Sequence, residues 1–283
     1  FKQKTAYEIS LGLVGSEMCI RDRYSISQDV IETIEIECRR SPDKETGGIL
    51  VGVRVDSCTI VTHCSGPGLI WNSSKHHFTK DTDYAQQTLN LLYEYFGVNY
   101  LGLWHKHPSE YPSPSQGDII NAMDEISSTN IGLNELLTPI CSLTDSNVTI
   151  SPFIIRDGSA HRIDWEISHG DCTITNELFK TFWYDSRTGR ERLDDEVARL
   201  QDQKLSVLVT KGEDGRCRVR ATSDKREKQE LVFLCPNDYP LSSPFVAILD
   251  KETEQYIPVI SQNISDWNMY KYMSDITNEL SFL

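Results

Sequence analysis

His105 and His107 stand two apart at the end of an apolar run, Tyr100 to Trp104, and Pro108 closes that run. Read as a strand, residues i and i+2 project from one face, so both imidazoles can converge on a single point. A loop carrying Pro112 and Pro114 comes next, and Ser115 and Asp118 open a helix expected over 119–126. Two same-face histidines and a carboxylate from the next element make an N, N, O donor set. That is the count left when zinc keeps a fourth position open for water. Each piece also has an ordinary reading. A His-x-His pair alone is a weak sign, and Ser115-x-x-Asp118 reads equally as an N-cap with an acid in the first turn. The two roles are compatible, because a helix N-terminus is a rigid mount for a ligand.

The elements that must position this set begin upstream, at Lys44-Glu45-Thr-Gly-Gly-Ile-Leu-Val-Gly52. Gly47 and Gly48 allow close backbone passage, and Ile49, Leu50 and Val51 read as a short buried strand. Glu45 just ahead of it is by itself an ordinary surface charge. Taken together, Glu45-Thr46-Gly47-Gly48, His105-x-His107-Pro108 and Ser115-x-x-Asp118 resemble the JAMM motif of the JAB/MPN metalloproteases, with every motif position filled. The resemblance covers about residues 25–168 and implies a three-layer α/β sandwich of the cytidine-deaminase type. It implies hydrolysis of an isopeptide or peptide bond after the C-terminal tail of a ubiquitin-like protein. In that reading His105, His107 and Asp118 hold Zn²⁺, which lowers the pKa of water from 15.7 to about 7. Glu45 then acts as general base and later acid, and Ser115 donates its hydroxyl to the developing oxyanion. Lys106 points to the opposite strand face, solvated or paired, with no catalytic assignment.

Composition narrows the field. The chain has 283 residues, enough for two domains of ordinary size. With 28 Lys+Arg against 42 Asp+Glu, the net charge is −14, a surface that repels phosphate backbones and makes nucleic acid a poor partner. No apolar run approaches the roughly 20 residues of a membrane span. The cysteines at 19, 38, 58, 64, 141, 172, 217 and 235 form no Cys-x-x-Cys pair, as expected of reduced thiols in a cytoplasmic protein.

In chain order, Phe1 to Arg23 fits neither a signal peptide nor the regular pattern that begins near Ser25. Ser10 to Arg23 resembles a translated sequencing-adapter read-through, so 1–23 is expected to be a non-native leader, with native sequence from about Tyr24. Val30, Ile34 and Cys38 recur at helical spacing through 29–40, and Pro42 ends that helix. A strand is expected near 58–64, a turn at Gly66-Pro-Gly68, and a helix over 84–96 with Leu89, Leu92, Tyr93 and Phe96 on one face. Two strands are expected after the Asp118 helix, near 138–143 and 148–156. This makes residues 24–168 an α/β unit. His76 and His77 either line a substrate groove or sit exposed in a loop. His63, His161 and His169 have no supporting spacing.

A linker over 169–177 leads to a second unit, 178–283. A helix is expected over 188–203 with Leu193, Val197 and Leu200 on one face. Strands are expected next at 205–210, 217–222 and 230–234, another runs to Leu249, and a final helix covers about 265–280. Helix, meander and then Tyr239-Pro240-x-x-x-Pro244 resemble the RWD and ubiquitin-conjugating-enzyme fold, with the proline spacing of RWD domains. Residues 236–283 contain neither Cys nor His, and Cys235 precedes the motif as a packing thiol. This smaller α+β unit therefore has no thioester chemistry. It is expected either to recruit a conjugation-pathway enzyme or a modified target, or to cap the first unit.

Three rivals to the hydrolase reading stay open: a catalytically silent MPN-type scaffold, a zinc deaminase of the same fold class, and a hydrolase of sulfur-carrier-like conjugates. The deaminase is disfavoured because neither its His-x-Glu nor its Pro-Cys-x-x-Cys pattern occurs.

Overall fold

The computed structural model describes residues 22–74, 77–107, 111–128, 132–144, 147–168, 182–212 and 215–280. Most of the expected leader and the whole expected linker lie outside that set, as do Cys19, Cys172, His76, His169 and Pro108.

The chain opens with strand β1 (Arg23–Ser27), which the sequence pattern does not announce, and helix α1 (Gln28–Arg40). Ser27 caps α1 by accepting from Asp29 N–H, and Val30, Ile31, Ile34 and Cys38 form its buried stripe. Next come β2 (Gly47–Val55) and β3 (Cys58–Cys64), then a hairpin of β4 (Asn72–Ser74) and β5 (His77–Thr79). Helix α2 (Thr82–Phe96) starts on Asp81, whose carboxylate accepts from Tyr84 N–H, and ends on Gly97 in the left-handed region. Its buried face is Ala85, Thr88, Leu92, Tyr95 and Phe96. The expected stripe through Tyr93 is corrected, since that ring is 61% exposed. Strand β6 (Asn99–Lys106) and helix α3 (Gln116–Ser128) come after it. Short strands close the unit: β7 (Leu136–Leu137), β8 (Ile140–Leu143), β9 (Val148–Ser151), β10 (Phe153–Arg156), β11 (Ser159–Arg162) and β12 (Trp165–Ser168). The strands expected at 138–143 and 148–156 are thus each only partly continuous.

The first sheet is mixed, in order β11-β10-β7-β6-β2-β3-β1-β12, with β8 and β9 branching from β6. β2 and β6 pair antiparallel at its centre, and β8 runs parallel to β6. One face buries Ile26, Leu50, Val61, Leu101 and Trp104 against Ile34 of α1. The other buries Ile49, Val51 and Tyr100 against Leu92 and Tyr95 of α2, with Ile119 and Met123 of α3 packed alongside. Helices therefore lie on both faces of a mixed sheet.

The second unit contributes helix α4 (Arg187–Asp202) and strands β13 (Ser206–Lys211), β14 (Cys217–Thr222), β15 (Gln229–Leu234), β16 (Phe245–Asp250) and β17 (Gln255–Pro258). They form one antiparallel meander in that order. The expected final helix is corrected to two short ones, α5 (Gln262–Ser265) and α6 (Met273–Glu279). Between them Trp267 turns inward to donate from its indole to the Pro240 carbonyl at 2.8 Å, a bond that a continuous surface helix would forgo. The helical stripe on α4 also differs: Glu196 is fully buried beside Leu200.

The two sheets share one apolar cluster that runs from Leu92, Tyr95 and Phe96 to Trp183, Phe233 and Tyr239. Glu94 accepts from Thr188 N–H at 2.9 Å, and Tyr270 donates to Gln87 at 2.8 Å, so α2 is gripped along its length. The cysteines of the described residues carry free thiols. Among those residues no helix is long and apolar enough to cross a membrane.

Candidate metal centre

A bulge decides which way the histidines point. The β2/β6 register slips by one residue between Leu50↔Gly102 and Val51↔Tyr100, leaving Leu101 as the extra residue. Leu101 joins the α1 face, yet Leu103 packs on the α2 face and Trp104 on the α1 face. Side-chain alternation restarts at the bulge, which turns His105 and His107 toward the face covered by α2 and α3. Gly102 is required there: a Cβ would lie 1.9 Å from the Leu137 carbonyl oxygen. Beyond the bulge the strand stays paired, with His107 N–H donating to the Cys141 carbonyl at 2.9 Å.

The two Nε2 atoms lie 2.7 Å apart, with the rings inclined at 67°. Asp118 faces both: Oδ1 is 3.3 Å from His105 Nε2, and Oδ2 is 3.3 Å from His107 Nε2. Ser115 and Asp118 form a reciprocal cap at the start of α3. Ser115 N–H donates to Asp118 Oδ2 at 2.6 Å, and Asp118 N–H donates to Ser115 Oγ at 3.3 Å. The cap thus fixes the carboxylate, and the cap and ligand readings of this motif use the same geometry.

His107 Nδ1 lies 3.0 Å from the Tyr111 carbonyl. A carbonyl only accepts, so Nδ1 is the donor there, and Nε2 is the atom turned toward the cluster. Burial alone would lower the His107 pKa. The hydrogen bonds it donates to Asp118 and to the Tyr111 carbonyl, with the charges of Asp118 and Glu45, outweigh it and raise it. Burial works the other way on Asp118, but the bonds to His105, His107 and Ser115 hold its carboxyl well below the usual range. The three donor atoms lie within 4.8 Å of one another. A tetrahedral zinc site with bonds near 2.1 Å has edges of about 3.4 Å, so the donor types and spacing fit such an ion with small adjustment.

All three residues line a cavity of about 920 Å³, and so do Glu45 and Ser115. Glu45 reaches it from the segment leading into β2, where Gly48 passes so close to Ser65 that a Cβ would lie 2.0 Å from its carbonyl oxygen. Every residue expected at the site is therefore at one cavity. Phe78, Thr79 and Lys80 also line it, while His76 lies outside the described residues. His63 is half-buried and stacks on Phe96 at 5.2 Å, and desolvation lowers it to about 4. His161 is exposed on β11.

Some groups around the cavity are not evident from residue type. The Tyr111 carbonyl orients His107, and a backbone atom leaves no residue-type signal. Lys80 and Glu125 form a 3.6 Å ion pair at the cavity wall. Glu125 had a signal, lying seven residues after Asp118 and so on the same helix face. Of the two readings of Lys106, solvated or paired, the second holds: it is 3% exposed and donates to the Ser41 and Pro42 carbonyls.

No protein-family model matches the chain. A curated protein from Escherichia coli (strain TW11681) named "CD-NTase/cGAS isopeptidase" is 35% identical over 77 residues, which make up 26% of this chain and 49% of that protein. The chain thus spans about half the length of this curated relative. Among solved structures, protein DSY2949 from Desulfitobacterium hafniense covers 54% of this chain and 97% of its own, at 19% identity and a TM-score of 0.44.

Proposed function

We propose that the chain is a zinc-dependent isopeptidase or peptidase of the JAMM type, acting after the C-terminal tail of a ubiquitin-like protein. One observation carries the reading: two imidazoles and a carboxylate converge in a cavity that also holds Glu45 and Ser115. The partial likeness to a protein named as an isopeptidase supports the reaction class. Zinc, when bound by His105, His107 and Asp118, supplies Lewis acidity that makes water a nucleophile near neutral pH.

The chain's own residues carry the remaining steps. Glu45 takes a proton from the attacking water and returns it to the leaving amine, so that the amide C–N bond breaks with the amine neutral. Ser115 O–H donates to the oxygen that gains charge as the carbonyl becomes tetrahedral. The Tyr111 carbonyl keeps His107 in the tautomer that presents Nε2. The second unit, read as RWD-like and without thioester chemistry, braces α2 through Glu94 and Gln87.

The test is hydrolysis of a ubiquitin-like domain fused through its tail to a reporter, with and without chelator, alongside metal analysis. Glu45→Gln should keep the metal and lose on the order of 10²–10⁴-fold in rate. His105→Ala should lose both. Parental cleavage by Glu45→Gln removes the general-base role, and protein that binds no zinc removes the hydrolase reading.

A further inference from the structure

Lys106 sits between the two site histidines, and strand alternation sends its side chain through to the α1 side of the sheet. It is 3% exposed there, next to Cys38 and Cys141, which are fully buried. Its ammonium donates to two carbonyls just past the end of α1, those of Ser41 and Pro42, the latter at 2.8 Å. Its backbone N–H donates to the Thr46 carbonyl at 2.7 Å. One residue thus grips both ends of the segment 41–46, and Glu45 lies inside that segment.

We propose that Lys106 is a positioning residue whose side chain and backbone amide together clamp residues 41–46 and so hold the Glu45 carboxylate against the His105–His107 strand. The choice of a lysine at this place supports it. Burying an ammonium carries a desolvation cost that a methionine or leucine of similar length would not incur. The ammonium's contribution therefore lies in the carbonyls it reaches. They stand at a helix C-terminus, where the helix dipole favours a cation. Because the side chain lies on the far side of the sheet, it leaves the cavity and the three donor atoms untouched. Its effect should fall on how Glu45 is aimed.

The inference rests on the general-base reading of Glu45, and the experiment separates the two. Lys106→Met and Lys106→Arg are compared with the parental protein by thermal melt, zinc content and hydrogen exchange. Kinetics use a ubiquitin-like domain with a C-terminal amide-linked fluorophore. Lys106→Met should fold, hold parental zinc and exchange faster at the amides of residues 43–45, with β6 amides unchanged. Its KM should stay within about threefold while kcat falls on the order of 10²-fold, the usual consequence of misplacing a reacting group by about 1 Å. Lys106→Arg, which keeps the charge and the donors, should recover most of the loss. Parental kcat in Lys106→Met, unchanged exchange at 43–45, or zinc lost in proportion to activity would each overturn the clamp. If Lys106→Met does not fold, Lys106→Gln, with one amide donor group, takes its place under the same criteria. A fully active Glu45→Gln would instead sink the underlying reading, whatever Lys106 does.

Discussion

Among the described residues two polar clusters, one in each unit, are built to opposite ends. In the first, His105, His107 and Asp118 aim acceptor atoms at a common point beside a cavity of about 920 Å³. In the second, Glu196 is fully buried on α4 and is surrounded by donors. Arg192 reaches it at 2.8 Å, Met273 N–H at 2.9 Å, and the Tyr239 hydroxyl also donates to it. Arg192 is itself satisfied by the Met269 and Lys271 carbonyls and packs over the Tyr272 ring. Burial raises Glu196 above its ordinary value, against the lowering pull of Arg192, Tyr239 and Met273. The lesson is one of saturation. A cluster whose donors and acceptors balance among themselves holds a fold together. A cluster that gathers acceptors next to open space has capacity left for an ion or a substrate.

That contrast can be broken by mutation. Glu196→Ala should produce the larger loss of stability, about 3–5 kcal/mol, because it leaves Arg192 and Tyr239 buried without their partner. A thermal melt should then drop by on the order of 10 °C, while zinc bound per folded molecule stays parental. A small shift would mean that the closed cluster is ornamental.

Ser115→Ala probes the open cluster. Loss of an oxyanion donor should lower kcat by about 10²–10³-fold, while loss of the cap should lower stability by only about 1 kcal/mol. A rate loss no larger than the stability change accounts for would reduce Ser115 to a cap.

The smallest effect is read by pH. His107 is raised above its ordinary 6.5, so protons compete for Nε2 from above that value downward, and zinc affinity should fall as pH falls through this range. In chelated protein the sign reverses. The raised His107 stabilises fully below pH 6.5, and that contribution is lost as pH rises through its folded value. The lowered Asp118 contributes above its unfolded value of about 3.9 and loses that contribution as pH falls below it. Melts of chelated protein from about pH 3 to 9 should therefore show a local gain between those limits, and a flat profile would contradict the ion pairing.

Much of the site was legible because its parts are local. The His-x-His alternation, the Ser115-x-x-Asp118 cap and the Gly47-Gly48 approach each depend on neighbours within a few residues, and all are found where the spacing put them. Helical stripes are less legible. Periodicity assigns Tyr93 to the core, but the α2 stripe is rotated because the helix must face both its own sheet and Trp183 of the second unit. Glu196 escapes periodicity for a related reason: a carboxylate counts as polar until its donors arrive from α6 and Tyr239, more than 40 residues away. The expected final helix is two short ones, with Trp267 between them donating to the Pro240 carbonyl.

The sequence by itself determined the groups on offer: two imidazoles and a carboxylate at spacings that let them converge, an acid just ahead of β2, and no thiol among residues 236–283. Tertiary structure decided how those groups are aimed. The one-residue bulge at Leu101 chooses the face on which His105 and His107 emerge, and Lys106 brings the segment of Glu45 to that strand. The physical reason is the reach of the forces involved. Alternation and capping act over a few bonds, whereas a bulge or a buried ammonium is settled only when distant carbonyls, here Leu137, Ser41 and Pro42, come into contact.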